Sequence, residues 1–296
     1  MLKPVTRKLL TLVAKLTGKH VKSEGEFSKR IKKRHKTFWK DSNAEIVRNT
    51  IMSDGDPIKK WKNVKNWQRK LSNKYNSREF AKMHNCKVPD LYWKGRDYNQ
   101  LDFEKLPQHY VIRPTTGHSS YLVFLMNNSV NLMNKQTYSG EDIRSIMAKA
   151  INENPNVEFL VEEFVRTEKG EYKIPDDYKV FTFNGEIACI RVYNRLSPSE
   201  GFTTCYDENW KLIDDVMVDY DRGTYQQPPK CLAEIIAYAK ALSKSYEIFI
   251  RIDFYATDKG AVFGEFTPTP GLGQHFSIDG DELLADYWDR FCKGKV

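Results

Sequence analysis

Two acidic residues near the end of the chain lie inside segments that otherwise have the pattern of half-buried strands. Residues 249–271, FIRIDFYATDKGAVFGEFTPTPG, place Asp253 in one apolar run and Glu265 in the next. The turn between the runs predicts a hairpin, which can bring the two carboxylates opposite each other. Carboxylates that close repel unless a cation lies between them, and Mg²⁺ often binds through one or two carboxylates plus substrate phosphates. The hairpin therefore predicts a Mg²⁺ site; the alternative is two solvated acids on unrelated faces.

The segments around this hairpin indicate a chain of mixed helices and strands. Residues 177–195 alternate on both sides of the Asn-Gly pair at 184–185, a strong hairpin signal. Residues 139–154 predict a helix with Ser139 as its N-terminal cap, and residues 228–246 predict an amphipathic helix introduced by prolines. Antiparallel hairpins late in such a chain favour α+β lobes over a doubly wound sheet.

Length and composition indicate a folded protein of a reducing compartment. The chain has 296 residues, 40% of them hydrophobic, enough for two or three lobes with their own cores. Its five cysteines are scattered without a CxxC pair, which argues against disulfides and a zinc site. The sequence has no run of about 18 apolar residues and no signal-peptide pattern, so we expect a cytoplasmic protein without a membrane span.

The positive charge is concentrated at the N-terminus. The net charge is +8, and residues 1–40 alone hold thirteen Lys or Arg against two acids. Residues 2–22 place on one helical face the apolar side chains Val5, Leu9, Leu12, Val13 and Leu16. Such a helix either packs on the protein's own body or lies on an anionic membrane surface, at the inner face of the membrane. Nucleic acid is disfavoured as a partner because the segment lacks interleaved aromatic and basic residues.

Five segments together resemble the ATP-grasp superfamily, and within it the TupA-like branch of the teichuronopeptide-biosynthesis type. In chain order they are NKYNSREF, LPQHYVIRPTTGHSS, FLVEEFV, DYKVFTFNGE, and RIDFY followed by VFGEFTPTPG, within residues 70–276. The resemblance implies an ATP-grasp fold, in which two α+β lobes clamp ATP, preceded by a helical, basic N-terminal region. It divides the chain into a basic amphipathic segment (1–40), a helical region on the substrate side (41–105), a small subdomain with a phosphate lid (106–163) and a large subdomain with the Mg²⁺ site (164–296).

The resemblance also implies the metal site and the groups around it. Asp253 and Glu265 would hold Mg²⁺ on the ATP phosphates, with Thr267 at the position where most members have Asn. We expect the hairpin to form without these charges, so that neutral replacement of either acid abolishes turnover and leaves the fold intact. The residues expected to act in catalysis are Arg251 beside the transferring phosphate, Lys179 as a phosphate contact, and Arg191, together with Arg195, as a clamp for an anionic acceptor.

A set of nucleotide contacts follows from the same resemblance. Lys74 would bind a phosphate, and Arg113 stands where the family usually has a second lysine. The other expected contacts are Gly117, His118, Ser119 and Ser120 in a phosphate lid at 115–120, Glu162 or Glu163 on the ribose hydroxyls, and Phe164 and Val165 next to adenine.

These features predict an ATP-dependent carboxylate–amine ligase that forms an amide through an acyl phosphate, with ATP and Mg²⁺ as cofactors. The TupA-like branch implies work on cell-surface glycans. The acceptor would be a uronic-acid-containing polysaccharide or its precursor, and the second substrate an amino acid or amine. Two alternatives stay open: an ATP-grasp kinase that phosphorylates a sugar, hydroxyl or amide, and a non-catalytic binding protein that keeps the fold.

Overall fold

Helices and two sheets alternate along the chain, of which the computed structural model describes residues 24–117, 121–154, 156–195 and 200–295. The α-helices are α1 (Glu26–Lys40), α2 (Ala44–Asn49), α3 (Ile58–Trp61), α4 (Lys74–Met83), α5 (Gly140–Glu153), α6 (Leu232–Tyr246) and α7 (Ile278–Phe291). Short 3-10 helices lie at Trp67–Ser72, Tyr98–Gln100, Phe103–Lys105 and Pro270–Gly273. The strands are β1 (Leu91–Gly95), β2 (His109–Pro114), β3 (Phe124–Asn127), β4 (Val130–Asn131), β5 (Gln136–Thr137), β6 (Phe159–Glu163), β7 (Asp177–Phe183), β8 (Glu186–Arg195), β9 (Gly201–Tyr206), β10 (Leu212–Ile213), β11 (Asp221–Arg222), β12 (Phe249–Thr257) and β13 (Gly260–Thr267).

The larger sheet has the strand order β10-β9-β8-β7-β12-β13, with β11 added along β9. Its central strand β7 is buried over its whole length because helices cover both faces of the sheet. Helix α6 packs on one face through Ile235, Ala239 and Leu242. Helices α1 and α7 pack on the other face through Phe27 and Trp288. The sheet is therefore the firmly packed base of the larger lobe.

The smaller sheet has the strand order β1-β6-β2-β3-β4-β5, and α5 covers one of its faces. Ile143 and Met147 of α5 pack against Val161 of β6 in a separate apolar core. Helix α5 begins at its predicted cap: the Ser139 hydroxyl accepts the N–H of Asp142, and the Asp142 carboxylate accepts the N–H of Ser139 in return. This reciprocal cap satisfies two backbone donors at the start of the helix.

Helix α1 is part of the core of the larger lobe. Its inward residues Phe27 and Arg34 are fully buried. The carboxylate of Asp281, in α7, accepts the N–H groups of Phe27 and Ser28, both at 3.0 Å. An acid from the other end of the chain therefore caps α1 and faces the positive end of its dipole.

The sequence-based expectations for the fold are confirmed in their main features. The chain is α+β, and the Asn-Gly turn at 184–185 joins β7 to β8. The smaller sheet begins before the predicted boundary at 106, because β1 pairs with β6. Residues 1–22 lie outside the described residues, so the amphipathic helix expected there stays a prediction. In the described ranges, no helix is both long and apolar enough to cross a bilayer.

Candidate active site

A row of four charged residues, which we call the charged row, crosses one face of the larger sheet. Glu265 of β13 lies opposite Asp253 of β12, Asp253 opposite Lys179 of β7, and Lys179 opposite Arg191 of β8. Directly opposed residues of antiparallel strands project to the same face of a sheet. The register confirms the predicted cross-strand pairing of the two acids and adds two cations to the same line.

A glycine at a bulge sets this register. The pairing of β12 with β13 shifts after Asp253, and Gly264 is the extra residue of β13. A Cβ atom at Gly264 would lie 3.0 Å from the carbonyl oxygen of Asp253 and 3.1 Å from the ring of Tyr255. Because any side chain would push these neighbours away, glycine at this position keeps Glu265 opposite Asp253.

Asp253 is held by two cations. Its side chain is buried, with 2% exposure. Nε and Nη2 of Arg251 donate to its two carboxylate oxygens, each at 2.8 Å, and the Lys179 ammonium lies 2.5 Å from Oδ2. Burial acts to raise the pKa of Asp253, but the charges of Arg251 and Lys179 outweigh it and hold the pKa below its ordinary value. Burial likewise acts to lower the pKa of Arg251, and the Asp253 carboxylate more than reverses that effect.

This network bears on the expectation that the hairpin forms without the charges of the two acids. Neutralising Asp253 would leave Arg251 and Lys179 buried without the acid they share, which destabilises a folded protein. The side chain of Glu265 is 38% exposed and lies 3.9 Å from the Lys74 ammonium, so its charge is far less engaged. The carboxylate of Asp253 is part of the packed core, so for this residue we now expect neutral replacement to destabilise the fold as well.

Lys74 links the second acid to the start of the predicted lid. It is the first residue of α4, and its backbone N–H donates to the carbonyl oxygen of Thr115 at 2.7 Å. Its ammonium donates to the carbonyl oxygen of Gly117 at 3.2 Å. Burial lowers the pKa of Lys74, and the Glu265 charge offsets only part of that shift. The ammonium is therefore poorly solvated, and its contact with a phosphate stays a prediction.

The lid itself is described only in part. Gly117 has a φ of +138°, a backbone conformation that L side chains rarely adopt, which explains a glycine at this position. His118, Ser119 and Ser120 lie outside the described residues, so their contacts with phosphate stay predictions.

The oxygen atoms at the hairpin suit Mg²⁺. Asp253 and Glu265 supply carboxylates, and the Thr267 hydroxyl accepts a hydrogen bond from Arg251 at 2.9 Å beside them. Over the ranges that the structure describes, no group of three or more His, Cys, Asp or Glu side chains could hold a metal ion. A cation at the hairpin would therefore rely on two carboxylates plus substrate oxygens, the manner in which Mg²⁺ is bound with nucleotide phosphates. The donor set fits that ion.

Arg113 and Glu162 form a buried pair on the smaller lobe. Nε of Arg113 lies 2.6 Å from one carboxylate oxygen of Glu162, and Nη1 of Arg78 lies 3.3 Å from the other. Burial acts to lower the pKa of Arg113, and the Glu162 charge more than reverses that effect. Arg113 also donates to the carbonyl oxygen of Gly264 at 3.4 Å, so it bridges the two lobes next to the bulge.

The segment around the end of β6 holds the predicted adenine and ribose contacts. Phe164 and Val165 are buried, at 2% and 6% exposure. Both carboxylate oxygens of Glu162 are engaged by arginines, whereas Glu163 pairs with Lys259, whose side chain is 50% exposed, and accepts the backbone N–H of Asp90 at 3.2 Å. Exposed pairs contribute little and exchange readily. Glu163 is thus the more available of the two acids for ribose hydroxyls, although both assignments stay predictions.

Arg191 lies beneath the surface of the site. Its side chain is fully buried, with Nε and Nη2 at 2.5 and 3.0 Å from the two oxygens of Asp215 and Nη1 at 2.6 Å from Asp219. Burial acts to lower the pKa of Arg191, and Tyr193 and the two aspartates reverse that effect. This geometry favours a positioning role, in which Arg191 fixes residues 215–219 on the sheet, over the direct acceptor clamp expected from the sequence. The side chain of Arg195 lies outside the described residues.

Sequence reasoning missed several members of this network. Asp177 lies on the same strand face as Lys179, 3.3 Å from its ammonium, and strand alternation within DYK could have found it. Asp215 and Asp219 come from a segment without regular periodicity, so no local pattern marks them. The contact of Arg78 with Glu162 joins a helix to a distant strand, and a single sequence carries no signal for such a pair.

The fold and the site together define a class of enzyme. Two α+β lobes meet at a line of acids and cations, and the carboxylate oxygens of the acids suit Mg²⁺, as expected of a nucleotide-dependent phosphoryl-transfer enzyme. A sequence model of the TupA-like ATP-grasp family matches residues 57–289. The chain therefore belongs to the TupA-like ATP-grasp family, and the resemblance and the fold predicted from it are confirmed. No curated protein sequence matches the chain.

Solved structures resemble this fold at low sequence identity. D-alanine–D-alanine ligase from Bacillus anthracis, complexed with ATP, is 15% identical with a TM-score of 0.48, and the match covers 75% of this chain and 65% of that one. L-amino acid ligase from Bacillus licheniformis is 14% identical with a TM-score of 0.47, over 70% of this chain and 45% of that one. The D-cycloserine synthetase DcsG is 14% identical with a TM-score of 0.48, over 76% and 71%. At this level the similarity concerns the fold alone.

Proposed function

We propose that the protein is an ATP-dependent carboxylate–amine ligase, which phosphorylates a carboxylate and lets an amine displace the phosphate to form an amide. The proposed acceptor is a uronic-acid carboxylate of a cell-surface polysaccharide or its precursor, and the amine is that of an amino acid or a related compound. The observation that carries the proposal is the charged row, since it sets the two acids suited to a metal opposite each other and beside the cations Arg251 and Lys74.

Asp253 and Glu265 would hold Mg²⁺, which supplies positive charge to the phosphates of ATP and to the developing transition state. Lys74 lies between Glu265 and the start of the lid, and Arg113 reaches across the lobes to Gly264, so both cations adjoin the hairpin. These side chains are held by packing and hydrogen bonds before substrates arrive. They can therefore stabilise phosphoryl transfer with little reorganisation.

Arg251 is the group best placed to act in both halves of the reaction. Its guanidinium is fixed by Asp253 and by the Thr267 hydroxyl, yet 12% of its side chain stays exposed beside the two acids. A fixed guanidinium at this point would neutralise charge on the transferring phosphate. When the amine attacks the acyl phosphate, the same group would stabilise the tetrahedral oxyanion.

Two backbone segments would form the acceptor side of the site. Arg191 holds residues 215–219, and the Ser277 hydroxyl donates to the carbonyl oxygen of Asp215 at 2.7 Å. The N–H of Val218 donates to the carbonyl oxygen of His275 at 2.7 Å. The segment after Thr267 is thus tied to the segment that Arg191 positions. We propose that these two segments shape the acceptor pocket.

The reaction class is tested by mass spectrometry of the products. The protein is incubated with Mg²⁺, ATP, an acidic sugar such as galacturonic acid or an oligogalacturonate, and a pool of amino acids, with Glu265→Gln as the inactive control. A product heavier by one amino acid less water supports the ligase. A stable product heavier by one phosphate, formed equally well without any amine, overturns the proposal in favour of the kinase.

We also propose that the protein works in the cytoplasm at the inner face of the membrane, with residues 1–22 as the contact. The support is the excess of basic residues before residue 41 and the apolar stripe from Val5 to Leu16.

A further inference from the structure

Helix α1 presents a line of lysines to solvent. Seven of its fifteen residues are Lys or Arg. The exposed ones that recur at helical spacing are Lys29, Lys33, Lys36 and Lys40, and they share one side of the helix over about 16 Å. None of the four forms an ion pair with a residue of the described ranges. We call this line the lysine stripe.

A groove runs along one flank of the lysine stripe, between α1 and the C-terminal helix. Its volume is about 240 Å³. Its lining includes Lys29, Lys33, Lys295 and the indole of Trp288. The acids of the groove, Glu26 and Asp289, are both paired with Arg30, at 3.0 and 2.7 Å, so the lysines keep an excess of positive charge.

The other flank of the lysine stripe adjoins the active site. A Cβ atom on Gly273 would fall 2.5 Å from the carbonyl oxygen of Ser28 and 2.9 Å from Cγ of Lys32, so the loop after β13 lies directly on α1. The buried Arg34 donates to the carbonyl oxygen of Pro268 at 3.4 Å. Gly273 lies six positions after Thr267, and six steps along the chain span at most about 20 Å. The lysine stripe and the site therefore share one side of the larger lobe.

The chemistry of the lysine stripe fits a linear polyanion. Its lysines follow one another at intervals of about 4.5–6 Å along the helix axis, on the order of the length of one sugar ring. Helices that bind membranes turn an apolar face to the lipid, whereas the apolar face of α1 is buried in the larger lobe. No exposed large apolar side chain of the described residues belongs to α1. A membrane would therefore bind α1 through charge alone. An acidic glycan chain would meet positive charges spaced at intervals that match its own sugar units.

We propose that the lysine stripe and its groove bind the acidic glycan chain that carries the acceptor, and lead its reactive unit to the loop after Thr267. This proposal rests on the proposed function and makes its substrate polymeric. Binding along the stripe raises the local concentration of the reactive unit at the site, because the second contact becomes intramolecular.

The test compares two variants with the same change in net charge. The first carries Lys29→Gln, Lys33→Gln, Lys36→Gln and Lys40→Gln. The matched control carries the same change at four exposed lysines on other surfaces, Lys135, Lys149, Lys169 and Lys211. The full-length proteins are titrated into labelled oligogalacturonates, short and long, at low and moderate salt, and fluorescence anisotropy is measured. A third variant with arginine at the four stripe positions keeps the charge, and thermal unfolding checks that each variant is folded.

We expect the glutamine variant of the lysine stripe to bind the long oligogalacturonate roughly 10-fold or more weakly at low salt, as the loss of four exposed charge contacts implies. The control should stay within about 2-fold of wild type because its substitutions remove none of the stripe contacts. The arginine variant should also stay within about 2-fold because it keeps the four positive charges. Equal loss in the control, or unchanged binding in the stripe variant, overturns the proposal. So does a stripe variant that loses only its binding to anionic phosphatidylglycerol vesicles, because the partner is then a membrane.

The failure of this proposal can be told from failure of the proposed function. Binding is measured without ATP or amine, so the lysine stripe can bind oligogalacturonate even if no amide forms. Conversely, amide formation on monomeric galacturonic acid would support the ligase even if the stripe binds no polymer.

Discussion

Replacing Asp253 by Asn or Glu265 by Gln removes one negative charge from one strand of the same hairpin, and the structure predicts very unequal effects on stability. Both acids are proposed ligands of one Mg²⁺, so both variants should lose Mg²⁺-dependent ATP binding. Asp253 is 2% exposed and shared by Arg251 and Lys179. Glu265 is 38% exposed and lies 3.9 Å from the Lys74 ammonium.

The magnitudes follow from these environments. Removing one partner of a buried ion pair costs about 3–5 kcal/mol, because the remaining charges stay buried without compensation. Asp253→Asn should therefore lower the free energy of unfolding by about that amount. A partly exposed pair contributes about 0.2–1 kcal/mol, so Glu265→Gln should stay within about 1 kcal/mol of wild type.

Urea unfolding, followed by circular dichroism without nucleotide or metal, measures the difference. The pH dependence adds an internal check, since the pKa of Asp253 is lowered in the folded state. Its stabilising contribution is present above the unfolded-state pKa of about 3.9 and is lost as the pH falls toward the folded-state pKa. The gap between wild type and Asp253→Asn should therefore shrink in acid. Equal unfolding midpoints for the two variants at pH 7, or a gap that does not change in acid, would refute the reasoning.

Three further predictions concern other cations and the N-terminal segment. Arg251→Ala should lower kcat on the order of 10²-fold or more, with a smaller change in the KM for ATP, since it removes a stabiliser of the transition state; steady-state kinetics that show only a raised KM would contradict this. Burial lowers the pKa of Lys74, so as the pH rises ATP affinity should begin to weaken at a lower pH than it would with a lysine of ordinary pKa. Lys74→Arg should abolish that pH dependence in calorimetric titrations. Removal of residues 1–22 should reduce flotation with anionic liposomes, most clearly at low salt; unchanged flotation would mean that these residues pack on the protein.

The hairpins could be predicted from the sequence because their information is local. A turn residue marks the centre, strand alternation assigns faces, and the apolar positions fix which face is buried. For that reason the sequence predicts both the pairing of Asp253 with Glu265 and the turn at 184–185. Lys179 joins the same line because the register of β7 against β12 follows from the burial of both strands.

The environment of each charge could not be predicted in the same way. Whether Arg191 faces a substrate or an aspartate depends on residues 215–219, which lie on the sheet through tertiary contacts rather than through any local pattern. Likewise, the carboxylate of Asp253 is enclosed by Arg251 and by Lys179 of the neighbouring strand, and no local pattern reports that both cations turn toward it. Sequence periodicity gives the face of a side chain but not the partners that reach it.

The cap of α1 by Asp281 has a consequence for how the polypeptide is made. The helix leaves the ribosome early, yet the carboxylate that accepts its first N–H groups lies 254 residues later. The ring of Phe27 likewise packs on the ring of Trp288, with 5.9 Å between the ring centroids, and Trp288 is also made late. The apolar side of α1 can meet Phe183 and Phe249 of the sheet before α7 is made, but it lacks Trp288 and its Asp281 cap until then. A premature stop before α7 would leave the two ends of the chain unjoined.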